Sequence, residues 1–269
     1  MSDDAILFHV HDGLARVTLN RPARLNAVDP DAIERWQSIA HEIAERDDIG
    51  AVLFDAVGRA FCAGGDVIAM SQLAAGEPDA GRVIQGLADR IHDGHRTLRE
   101  SAKPIVAAVQ GPVAGGGLGF MLIADLIVAS DRATFASRYS DIALTPDCGV
   151  STLLPEAVGT RRALELTLTS RKLSAAEALD WGLVTRVVPA PDLAAEAEAL
   201  VTRLAAGPTV AFGEMRRLLR DAWERTLEEQ LDAESAAIVR CGRTTDAREG
   251  ITAFAERRVP RFTGRGGRP

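Results

Sequence analysis

The sequence predicts an α/β domain followed by a helical C-terminal part, and three observations carry that reading. Short apolar runs alternate with segments of helical periodicity as far as residue 188. Two glycine-rich turns, Ala63-Gly64-Gly65-Asp66 and Gly115-Gly116-Gly117, each follow one of those runs. Beyond Pro189-Ala190-Pro191, helical patterning alone continues. The expected organisation is therefore a core over residues 1–190 and a helical region over 191–269.

Residues 5–10 and 14–19 read as two strands joined at Asp12-Gly13, a strong hairpin signal. The loop 21–27 leads to Asp29-Pro30, where Asp suits the N-cap and Pro the first helical position. Ile33, Trp36, Ala40 and Ile43 then recur at helical spacing, so this helix packs on the sheet. Residues 51–56 form a buried strand, broken by the Gly58–Asp66 stretch. A short helix over 67–73, a mixed Ala/Gly/Glu/Pro segment expected to be mobile over 71–81, and a helix over 82–101 follow. His92 and His95 on that helix are expected at the surface. Residues 105–109 are the central strand, closed by Gly111-Pro112. A buried helix follows the triple glycine over 118–124, then a strand over 126–130. Residues 135–149 show little periodicity. Helices are expected at 149–158 and 160–169, and Ser174-Ala175-Ala176-Glu177 is a capping box opening another. Residues 184–188 are the last strand. Helices over 192–206, 209–221, 225–240 and 246–257 complete the chain.

At 269 residues and 46% hydrophobic content, the chain is long enough to bury a substantial core. Its net charge of −7 makes no electrostatic case for nucleic acid. Arg257, Arg258, Arg261, Arg265 and Arg268 gather at the end, where a solvated tail is expected. There is no eighteen-residue apolar run, and the Met-Ser-Asp-Asp start is acidic, so neither a membrane span nor a secretory leader is expected. Three widely spaced cysteines, Cys62, Cys148 and Cys241, suggest no disulfide framework and no metal site, and suit a reducing cytoplasm. The two lysines, Lys103 and Lys172, stand in no obvious reactive pocket, which argues against Schiff-base chemistry.

The spacing of the glycines excludes two familiar anion motifs. A dinucleotide fingerprint starting at Gly115 would need glycine or alanine where Phe120 stands, and a P-loop would need Lys-Ser/Thr after its last glycine. Two glycine turns lying side by side would instead aim one backbone N–H each at a single oxygen, as an oxyanion hole does. Close packing beneath a neighbouring strand would equally explain such glycines. A serine nucleophile elbow fails, because Gly149-Val150-Ser151-Thr152-Leu153 ends in leucine. Acid–base work then falls to a carboxylate, and Asp147, after Pro146, is the candidate; a helix N-cap is its alternative use.

Ala60-Phe61-Cys62-Ala63-Gly64-Gly65-Asp66 and Gly111-Pro112-Val113-Ala114-Gly115-Gly116-Gly117-Leu118-Gly119 together resemble the crotonase superfamily of enoyl-CoA hydratases and isomerases. The resemblance extends from Leu19–Ala27 through Leu179–Val184 to the final helices. It implies a ββα spiral core with a helical C-terminal region that drives assembly into a homotrimer or a dimer of trimers. It also implies an acyl-CoA thioester as substrate, with coenzyme A part of the substrate and no other cofactor or metal. The thioester oxygen would meet the amides of Gly65 and Gly116. The CoA moiety would lie along Arg24 to Ala27, Ala63, Asp66 and Val67, with Arg24 near phosphate.

Hydratases of this family carry two catalytic glutamates, at positions held here by Gly119 and Tyr139. With an unperturbed pKa near ~10, a tyrosine is a poor general base at neutral pH. Thr145-Pro146-Asp147-Cys148-Gly149 resembles the Pro-Asp-x-Gly segment of ring-1,2-epoxyphenylacetyl-CoA isomerases, whose aspartate shuttles a proton. A dehalogenase branch uses a similarly placed aspartate as nucleophile and expects a tryptophan near Tyr139 and a histidine on the preceding helix; the tryptophan is missing. The resemblance thus implies an isomerase with Asp147 as proton shuttle and with Gly119 and Tyr139 shaping the acyl pocket. An atypical hydratase or lyase, or a catalytically silent acyl-CoA-binding paralogue whose Asp147 is only a cap, are the other readings.

Overall fold

The computed structural model describes residues 4–264. Strands β1 (Ile6–His11) and β2 (Leu14–Leu19) form the antiparallel hairpin, with His11 opposite Leu14. Asp12 and Gly13 both have positive φ, the geometry that matches strand twist in a two-residue turn. Helix α1 (Pro30–Glu45) starts as expected: the Asp29 side chain accepts from the Ala32 amide at 3.0 Å. β3 (Ala51–Ala56), α2 (Val67–Ala74), α3 (Ala80–Glu100) and β4 (Ile105–Val109) follow. The irregular part of the expected 71–81 segment is thus confined to 75–79.

Next come β5 (Val113–Ala114), α4 (Gly117–Leu122), β6 (Leu126–Ser130) and β7 (Thr134–Ala136), then α5 (Val150–Val158) and α6 (Thr160–Thr169). β8 (Leu173–Ser174), α7 (Ala175–Asp180) and β9 (Arg186–Val188) close the spiral. The chain continues as α8 (Leu193–Ala205), α9 (Thr209–Asp221), α10 (Leu227–Gly242) and α11 (Thr245–Ala255).

Among the described residues the main sheet has the order β1-β2-β3-β4-β6-β9, parallel throughout except for the hairpin. The small sheet β5-β7-β8 was not legible in the sequence. Its strands are two or three residues long, too short for a period-2 pattern to emerge.

Alternation along the central strands divides the core. Val52, Phe54, Ala107 and Ala129 face the larger apolar cluster with Ile33, Trp36 and Ile39 of α1. Ala51, Leu53, Val106, Ala108 and Val128 face the other way, against Leu193, Ala197 and Val201 of α8. The i, i+4, i+8 spacing of those last three places them on one helical stripe. α8 thus seals the second face of the sheet. α9 is also tied to the core, as Arg216 and Arg220 both pair with Asp125, Arg216 at 2.8 Å and Arg220 at 2.5 Å.

His95 corrects a further expectation, since it is buried rather than at the surface. Its Nδ1 accepts the Trp36 indole N–H at 3.1 Å, and its ring meets Phe120 edge-on. Burial, reinforced by His92 and Arg99, pushes its pKa down to about 3. At the C-terminal end, Arg258 is held by Glu249 and Glu256, so it is not merely solvated. Arg265 and Arg268 lie outside the described residues. No helix among the described residues is long and apolar enough to cross a membrane.

Candidate active site

The glycine turns meet because β3 and β4 are parallel neighbours, so the chain leaves both at the same end of the sheet. Cys62 pairs with Val113 in a parallel bridge, and the Ala114 amide donates to the Cys62 carbonyl at 2.9 Å. On the other side, Val28 N–H donates to Gly64 O at 2.8 Å and Asp66 N–H to Val28 O at 2.9 Å. These bonds use the groups flanking the Gly65 amide and leave that amide outside the ladder.

Gly115 N–H donates to Ala136 O, whereas Gly116 is the N-cap of α4, whose first amides have no partner within the helix. Gly64 stands between the turns at φ +92°, and a Cβ there would lie 2.9 Å from the Gly116 nitrogen. Only glycine permits both that backbone conformation and that approach.

A cavity of about 190 Å³ is lined by both Gly65 and Gly116. Tyr139 and Asp147 also line it, with apolar side chains such as Val28, Ile33, Met70, Leu87, Ile91 and Leu144. Asp147 does not cap α5: Gly149 is the N-cap, and Asp147 contributes only its carbonyl, which accepts from Val150 N–H at 2.9 Å. Its carboxylate accepts the Tyr139 hydroxyl at 2.6 Å. Burial, with Cys148 and Asp147 as further causes, raises the Tyr139 pKa far above its ordinary value, so the hydroxyl remains a donor. Tyr139 therefore lines the cavity and also orients the carboxylate.

The expected CoA-binding residues are scattered around the same end of the molecule. Ala63 and Val67 reach the cavity wall, and Arg24 is exposed in the loop before α1. Ala27 is partly buried, and its carbonyl accepts from Arg21. The Asp66 side chain is committed internally: it caps α2 through the Ala69 amide at 3.2 Å and pairs with Arg21 at 3.2 Å. Burial pushes this carboxyl up, but the Ala69 amide and the Arg21 guanidinium outweigh it and leave it below the usual range.

Gly119 departs from expectation. It is buried and is not among the residues lining the cavity, and a Cβ there would come within 2.2 Å of the Cys148 carbonyl. The Asp147 turn rests directly on the glycine helix at that point, so Gly119 does not shape the pocket.

Four further residues belong to the site. Arg138 and Asp141 line the cavity as an ion pair at 2.9 Å. Arg21 braces the first turn through Asp66 and through Asp29 at 2.7 Å. His92 accepts the Cys148 amide at 3.0 Å. No group of three or more His, Cys, Asp or Glu side chains able to hold a metal ion occurs among the described residues.

Residues 9–265 match the family described as enoyl-CoA hydratase/isomerase. The chain is 36% identical over 261 residues to the 1,2-epoxyphenylacetyl-CoA isomerase of Escherichia coli (strain K12), covering 97% of this chain and 98% of that protein. It is 33% identical over 265 residues to a probable enoyl-CoA hydratase of Rhodobacter capsulatus, covering 98% of this chain and all of the relative (100%). A solved enoyl-CoA hydratase from Polaromonas sp. JS666 superposes with a TM-score of 0.88 at 29% identity, covering 95% of this chain and 98% of that one.

Proposed function

The chain belongs to the enoyl-CoA hydratase/isomerase family, and we propose that it is an acyl-CoA isomerase with Asp147 as its proton shuttle. One observation carries this reading. The Asp147 carboxylate is free of helix capping, oriented by a hydroxyl, and set on the cavity that also holds the Gly65 and Gly116 amides.

The thioester oxygen sits between the two amides. Asp147 takes a proton from the carbon next to the carbonyl, or from its vinylogous neighbour. The electron pair left behind delocalises onto the oxygen, where the amides stabilise it most strongly. Asp147 then returns the proton at another carbon, so the double bond moves or a ring rearranges. Nothing is added or oxidised, so no cofactor beyond the substrate's own coenzyme A is required. Tyr139 remains protonated and donates to the carboxylate throughout.

The CoA moiety is assigned to Arg24, Ala27, Ala63, Asp66 and Val67, with the exposed Arg24 meeting phosphate and Asp66 contributing backbone rather than its engaged side chain. Assembly as a trimer or a dimer of trimers would cover the apolar side chains of the C-terminal helices, among them Trp223 and Phe254, each 87% exposed. The unpaired cysteines fit a cytoplasmic location.

A hydratase or lyase is the second reading, and Asp141 favours it. That residue is a further carboxylate on the cavity wall, although Arg138 holds it. Incubation with mixed enoyl-CoA thioesters in heavy water, followed by mass spectrometry, separates the two. Isomerisation with deuterium exchange supports the isomerase, and stoichiometric gain of water overturns it.

A further inference from the structure

We propose that His92 is a positioning residue for Asp147: by accepting the Cys148 amide it fixes the turn that presents the carboxylate, and it does so only while Nε2 is unprotonated. The inference rests on the isomerase reading above.

The turn from Asp147 to Gly149 is held at three points. The Asp147 carboxylate takes the Tyr139 hydroxyl at 2.6 Å, and the Cys148 amide donates to His92 Nε2 at 3.0 Å. The Cys148 side chain rests on the glycine helix, its Sγ 3.1 Å from where a Cβ on Gly116 would stand. Such holding is needed because Cys148 has φ +53°, a conformation that a residue with a Cβ keeps only when its surroundings impose it. Gly149 follows at +77°.

The His92 bond is one that protonation of the acceptor would reverse. A backbone N–H donates only to a lone pair, and an imidazolium has none to offer. Protonation would set an N–H against the Cys148 N–H. The turn would then relax, and Asp147 would lose its aim at the carbon beside the Gly65 and Gly116 amides.

A separate cavity of about 380 Å³ behind Asp147 is lined by His92, His95, Arg96 and Arg99, so His92 can exchange protons without passing the substrate. The charged groups around it are Arg96 and Arg99 on the cavity wall, Asp147 in the turn and Asp89 one turn earlier on α3. Ile123 at the C-cap of α4 and Ser151, Thr152 and Leu153 of α5, which also face this cavity, carry no charge. His95 is held neutral by burial, and Asp93 is engaged by Gln37 and His41 of α1.

The chain has three cysteines, so ¹⁵N-cysteine labelling yields three backbone amide signals, with Cys62 and Cys241 as internal references. In the wild type the Cys148 signal should move through one protonation step as the solution is acidified. In His92→Gln, whose amide oxygen accepts at every pH, that step should vanish. His92→Phe should lower kcat by about 10–100-fold at all pH, with KM within about two-fold, whereas His92→Gln should recover most of kcat and lose the acid limb of the profile. A Cys148 amide that does not titrate overturns the proposal, as does an acid limb unchanged in His92→Gln. Should no enoyl-CoA turn over, the isomerase reading fails by itself, and the Cys148 titration still decides the bond to His92. If His92→Phe does not fold, the glutamine variant decides the matter.

Discussion

The Tyr139 hydroxyl donates to Oδ1 of Asp147 across 2.6 Å, on the wall of the cavity that also holds the Gly65 and Gly116 amides. The position where the resemblance leads one to look for a second carboxylate thus holds a donor that orients the remaining one.

Replacing the carboxylate tests the shuttle. Asp147→Asn keeps size and the hydrogen bond to Tyr139 but removes the base, so turnover should fall by about 10²–10⁴. Acyl-CoA affinity, measured by calorimetry on the folded variant, should change little. Full activity in this variant would refute the assignment.

Tyr139→Phe leaves the carboxylate without its oriented donor. A hydrogen bond to a charged group contributes about 1.5–3 kcal/mol, so kcat should drop by roughly 10–100-fold. The KM should move far less, because the hydroxyl is bonded to Asp147 and not to the thioester. A change confined to KM would mean that Tyr139 acts on substrate binding.

Gly119→Ala should be a stability variant. The added methyl would meet the Cys148 carbonyl oxygen at 2.2 Å and its Cβ at 2.5 Å. Overpacking of this kind costs about 1–3 kcal/mol or more. Thermal unfolding should register it as a clear fall in Tm, and an unchanged Tm would show that the turn is not packed there. A glutamate at this position could not enter the cavity without displacing the Asp147 turn.

His95 gives a pH prediction with a definite sign. Its folded pKa of about 3 lies below the unfolded value, so the unfolded chain binds a proton that the native state refuses. Its contribution is fully present above about pH 6.5 and is lost as the pH falls from there towards about 3. His95→Asn retains an acceptor for the Trp36 indole and removes the titration. The slope of unfolding free energy against pH in that window should shrink by about 1.4 kcal/mol per pH unit, one proton's worth, in denaturant titrations. An unchanged slope would place the proton uptake elsewhere.

The sequence by itself determined the alternating core, the hairpin at Asp12-Gly13, the cap at Asp29, the capping box at Ser174 and both glycine turns. These are local matters: periodicity, positive φ and capping act within a few residues and leave their mark on residue type. It also singled out Asp147, but left open whether that residue capped a helix. Tertiary structure decided what depends on partners far along the chain. Parallel pairing of β3 and β4 brings the turns at residues 64 and 116 into contact, and α8 returns to cover the sheet. His92 and His95 look alike in sequence, three positions apart on one helix. Packing buries one against Trp36 and turns the other to the Cys148 amide. Gly119, one turn along α4, is claimed by Cys148 in the same way. A hydrogen bond or a steric contact between residues far apart in the chain has no periodicity, so only the folded chain reveals which side chains share a wall and which stand behind it.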